Sequence, residues 1–204
     1  MPPRRGVPSF VALLLLMLGL LVGAPSASAV SLDQVKGGQT AMFVPLSNVQ
    51  KLALKGIFVS PIPPAFLTFT STEGPAIRFP ITGGAVESST MLGTVNHDGG
   101  MLIQKIEPDG TVSAELNVTQ VKIVAGASLV GNALDLIPAP TADLVNATHS
   151  KDASTGVIHY EADAQINAVN ATVLNTYFST DAFEGGMILG HVKSDIQTKK
   201  VLGL

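Results

Sequence analysis

The chain has 204 residues, 46% of them hydrophobic and 13% charged, with a formal net charge of −3 and no cysteine. Such a composition excludes a disordered chain, and the missing cysteines exclude disulfides and thiolate metal sites. Beyond residue 29 Arg78 is the only arginine, so the dense basic footprint of a nucleic-acid-binding protein is absent.

The first element is an export leader. Arg4 and Arg5 precede an apolar run from Phe10 to Val22, and Ala27-Ser28-Ala29 supplies the small residues of a cleavage site. Residues 1–29 are expected to be a signal peptide removed on the general secretory route. The run is shorter than the roughly 20 residues of a membrane-spanning helix, so no transmembrane span is expected after cleavage. No cysteine follows the cleavage point to carry a lipid anchor. Residues 30–204 are expected to form a single secreted β-rich domain, extracellular or associated with the cell envelope and held together by its core alone.

Within that domain, apolar residues recur mostly at every second position, the period of half-buried strands. Ser60 to Ala65 carries Pro61, Pro63 and Pro64, which predicts a sheet edge or an extended connector. Asp98-Gly99-Gly100 and Pro108-Asp109-Gly110 suit tight hairpins, giving an antiparallel meander through the middle of the chain. Val112, Ala114, Leu116 and Val118 alternate, the register slips by one at Thr119-Gln120, and Val121 and Ile123 resume it, which predicts a β-bulge. Pro138 and Pro140 predict one loop, and Lys151 to Gly156 another. Ile158, Tyr160, Ala162, Ala164 and Ile166 share one face of the next strand. Val169, Val173, Leu174, Tyr177 and Phe178 then fall at helical spacing behind Asn167, a residue suited to an N-cap, and predict a short helix that plugs one end of the sheets. The polar tail from Gln197 onward is expected to fray. The fold class is therefore all-β: an antiparallel β-sandwich or partly open barrel with one or two short helices.

Few residues suggest chemistry. His159, Glu161 and Asp163 alternate on one strand face, where imidazole and carboxylates could hold a divalent cation or act as acid and base; a solvated outer face is the alternative. His97 lies beside Asp98 in a predicted turn and could be a surface ligand. No serine sits in a G-x-S-x-G elbow, and the paired glycines lack the spacing of a phosphate-binding loop. Asn117, Asn146 and Asn170 each match the N-x-T glycosylation pattern. Met91, Met101 and Met187 read as packing residues, and sheets of this kind often enclose a hydrophobic ligand cavity.

Four segments in this order, LKGIFVSPIPPA from Leu54, RFPITGG from Arg78, GTVNHDGG from Gly93 and AVNATVLNTYFSTDAFEGGMILG from Ala168, resemble secreted actinobacterial proteins related to the HtaA domain. The resemblance implies a strand leading into a proline loop, a hairpin, and a short helix before a closing strand. HtaA domains of known activity bind haem at the cell envelope through a tyrosine in an N-terminal aromatic segment. The only tyrosines here are Tyr160 and Tyr177, both late in the chain, so that ligand is not carried over. His97 occupies a G-x-V-x-H-x-G-G stretch in which haem-binding relatives also have histidine, and it is the one position that transfers.

The expected function is that of a non-enzymatic binding or structural protein, HtaA-like, needing no cofactor and engaging an envelope component or a small hydrophobic ligand. One alternative is a haem or other hydrophobic-ligand binder with His97 as the ligand-binding residue. Another is a hydrolase of envelope polymers that uses His159, Glu161 and Asp163.

Overall fold

A computed structural model describes residues 32–124, 128–133 and 137–199. The expected leader and the tail beyond Lys199 lie outside the described residues. Those residues belong to one compact unit. In chain order the elements are β1 (Asp33–Phe43), α1 (Leu46–Leu54), β2 (Ile57–Ile62), β3 (Phe66–Thr70), β4 (Gly74–Val86), β5 (Gly93–His97), β6 (Gly100–Ile106), β7 (Val112–Val124), β8 (Ser128–Ala133), β9 (Ile137–Lys151), β10 (Val157–Gln165), α2 (Ala168–Tyr177) and β11 (Ile188–Lys199). Among the described residues no helix is long and apolar enough to cross a membrane.

Every strand pairing is antiparallel, and the ladder runs β2-β6-β7-β5-β4-β1-β11-β10-β9-β8, with β3 on β4. β8 also pairs with β7, so the sheet folds back on itself around one core. Among the described residues it stays open at β2 and β3, two edges that no ladder joins. This is the expected sandwich or partly open barrel, and β2 is the proline-bearing edge. Pro61 on that edge withholds a backbone donor from any further strand. The exposed Phe58, Leu67 and Phe69 lie on these two strands.

The period-two reading holds along β10, where Ile158, Tyr160, Ala162 and Ala164 are buried and His159 and Glu161 face solvent. It also holds along β7, through the slip: Leu116 and Val118 face the core, Gln120 takes φ 51°, and Val121 and Ile123 return to the core. One extra residue in the left-handed region restores the buried face.

Three expectations need correction. Asp98-Gly99 is not a hairpin: β5 and β6 do not pair with each other but lie end to end along one edge of β7, at Lys122–Val124 and Val112–Thr119 respectively. Pro108-Asp109-Gly110 does form the β6–β7 hairpin. Pro138 and Pro140 lie in β9, in the stretch that pairs with β8 before β10 joins at Asp143, where one edge needs no backbone donor. The chain does not fray from Gln197: β11 stays paired with β1 and β10 through that residue, because it lies between them in the sheet.

The first helix packs against the open-edge strand β2. α1 follows Pro45 and stops at Gly56, which has φ 72°; a Cβ there would lie 2.4 Å from the Ile106 carbonyl oxygen. α2 starts as expected, with the Asn167 side chain accepting from the Asn170 N–H at 2.9 Å. Its burial differs from expectation. Ala171 and Phe178 enter the core, whereas Val169 and Val173 are 72% and 58% exposed, so the apolar spacing marks two faces of the helix.

Replacing the cap in Asn167→Ala should lower the stability read from the urea midpoint by about 1 kcal/mol at unchanged m-value. An unchanged midpoint would show that packing alone holds α2 in place.

Candidate functional site

His97 ends β5 and points inward; it is 6% exposed and not the surface turn residue expected. Its Nδ1 lies 3.1 Å from the Val121 carbonyl oxygen, which can only accept, so Nδ1 carries the proton. Nε2 therefore accepts from the Thr40 hydroxyl at 2.7 Å, and Thr40 accepts in turn from Ser194 at 2.8 Å. Thr40 and Ser194 face each other directly across β1 and β11. Val121 lies in the stretch that the β5–β7 and β6–β7 registers both skip, so the imidazole satisfies a carbonyl at the break. Burial lowers the His97 pKa to about 4, against the Val121 bond, which raises it. The ring is a neutral structural member, packed edge-on to Phe79.

His159, Glu161 and Asp163 line the outer face of β10, and each meets the residue directly opposite on β11. His159 Nδ1 is 2.7 Å from Asp195, and Asp163 accepts from His191 at 2.9 Å and from Asn146 at 2.9 Å. Those bonds, the one from Asn146 first, hold the Asp163 carboxyl below its usual range. Glu161 lies 3.8 Å from His191 and 4.0 Å from Lys193, whose ammonium is raised chiefly by its bond to Glu73. The arrangement is a ladder of cross-strand charge pairs. Among the described residues no three His, Asp or Glu side chains converge as a metal-ligand set.

The feature that sequence reasoning placed only in general terms is a cavity of about 220 Å³ between the helices and the sheet. Met42, Met101, Leu116 and Val118 line it from the sheet, Ala142 and Ala164 from β9 and β10, and Leu52 and Leu174 from the helices. Val59, Val173 and Tyr177, all partly exposed, border its mouth. Among the described residues no charged side chain lines it. Met42 and Met101 also line a small void beside His97 and Thr40, so the two thioethers separate the cavity from the buried network.

Haem does not fit these residues. The cavity is smaller than the roughly 300–1,000 Å³ of pockets that enclose drug-sized ligands, and a tetrapyrrole is larger than most of those. Among the described residues no histidine lines it, and the Tyr177 hydroxyl donates to the Glu115 carbonyl at 2.5 Å. Tyr160 is buried elsewhere in the core, where desolvation pushes its phenol up to about 12.

No family model matches the chain, and no curated protein matches it. Among solved structures, the C-terminal domain of HtaA from Corynebacterium glutamicum is similar, with a TM-score of 0.57 at 14% identity over 83% of this chain and 100% of that one. The likeness is one of fold: the chain has a distant HtaA-like fold.

The His97 pKa sets a pH dependence. Its folded value of about 4 lies below the 6.5 of the free side chain, so its contribution is complete above pH 6.5 and is lost as pH falls toward 4. Urea unfolding of wild type and His97→Gln should show the stability gap between them shrinking by about 3 kcal/mol over that window. A constant gap would mean that His97 titrates at its ordinary value.

Proposed function

We propose that this chain is an exported, non-enzymatic binding protein that holds a small apolar molecule in the cavity between its helices and its sheet. The observation that carries the reading is the cavity itself. An engineered void of about 150 Å³ with aliphatic walls stays dry and takes up benzene. The space here, about 220 Å³, is larger, and the exposed Val59 and Val173 at its mouth give an apolar solute a path inward. Export is supported by the leader pattern in residues 1–29, and by a fold that needs no cysteine to persist in an oxidising compartment. The HtaA-like fold fits a binding or structural role. The hydrolase reading loses its support, because His159, Glu161 and Asp163 are each engaged by cross-strand partners on an exposed face.

Titration of the purified protein with 1-naphthol, followed by fluorescence, should give saturable binding that Ala164→Leu reduces by roughly ten-fold or more, since the new side chain fills the cavity. The variant should melt no lower than wild type. Haemin should give no Soret shift. Equal naphthol binding by the variant, or a stoichiometric Soret shift abolished by Tyr177→Phe, would overturn the assignment.

A further inference from the structure

We infer that the ligand is a neutral single-chain amphiphile, which buries about nine carbons and leaves one uncharged polar end at the mouth. The inference rests on the binding function proposed above and narrows its ligand. Size comes first. If six carbons of benzene occupy about 150 Å³, a cavity of about 220 Å³ accommodates about nine.

Polarity fixes the orientation. The deep wall of Met42, Met101, Leu116 and Val118 offers no hydrogen bond, so a polar group placed there would be buried without a partner. Among the described residues the polar ones of the lining are Thr141, Asn170 and Tyr177, and all three are part-exposed. The Tyr177 hydroxyl already donates to Glu115, which leaves its oxygen to accept from a ligand hydroxyl. Charge decides the head group: with no lysine or arginine among the described residues of the lining, a carboxylate at the part-exposed mouth would give up some hydration and gain no counter-charge. Wall chemistry favours a chain over a ring. Among the described residues Tyr177 and Phe183 are the only aromatic ones of the lining, so a ring finds few stacking partners, whereas a flexible chain can follow aliphatic walls closed by two adaptable methionines.

Calorimetric titration of the purified protein with 1-alkanols from hexanol to dodecanol tests this, with nonanoate at pH 8 and 1-naphthol as comparisons. Affinity should rise about four-fold per methylene and level off near nine carbons. Nonanoate should bind roughly ten-fold or more weakly than 1-nonanol. Ala164→Leu should move the plateau to chains about three carbons shorter, because its side chain occupies that much of the space. Ala142→Leu provides the same test from β9 if the first variant folds poorly. Affinity independent of chain length, or nonanoate binding as tightly as nonanol, would overturn the inference. Naphthol binding without alkanol binding would leave the apolar-binding function standing and remove the chain; binding of neither would remove both.

Discussion

The structure depends on how a sheet that folds back on itself can tolerate a break in its own ladder. β7 receives β5 and β6 along the same edge, and between them the backbone pairing lapses at Val121. A buried carbonyl without a donor costs on the order of 1–3 kcal/mol. The His97 imidazole meets that need, and its other nitrogen is tied through Thr40 to Ser194 on β11. Four strands are thus joined by a chain of side-chain hydrogen bonds in which each donor has one acceptor. His97, expected at a surface turn, is a buried connector between these strands.

The same break positions the cavity. Met101 follows it at the start of β6, and Met42 follows Thr40 on β1, so the two thioethers that close the cavity lie immediately above the polar network. Two of the other wall positions carry small residues. Ala142 and Ala164 are fully buried yet fill little space, and Leu52 and Leu174 line the same cavity from the helices. The void is therefore a consequence of residue size at a few inward positions of otherwise regular strands. Interiors are normally filled, and the proposed ligand is what would fill this one.

Much of the fold is legible in the residues because it follows from period two. The β10 alternation, the slip at Gln120, the β6–β7 turn and the Asn167 cap each depend on neighbours in sequence, and each is found in the structure. What fails is what depends on partners far along the chain. Asp98-Gly99 has the chemistry of a hairpin, but β7 pairs with the strands on both sides of it and makes it a break within one long edge. Pro138 and Pro140 have the chemistry of a loop, but they lie where β9 has lost its second neighbour. The inward turn of His97 needs Thr40, 57 positions away, and Ser194, 97 beyond, so no local pattern could reveal it. The cavity is hidden for the same reason, since its walls come from strands and helices spread over most of the chain.

The central claim is that the apolar interior between the helices and the sheet is a binding site whose floor is Met42 and Met101. Methyl-labelled methionine spectra recorded with and without saturating 1-nonanol test it most directly. The account requires the Met42 and Met101 methyl signals to move while Met91, buried elsewhere in the core, stays in place. Unmoved Met42 and Met101 signals under saturation would contradict it.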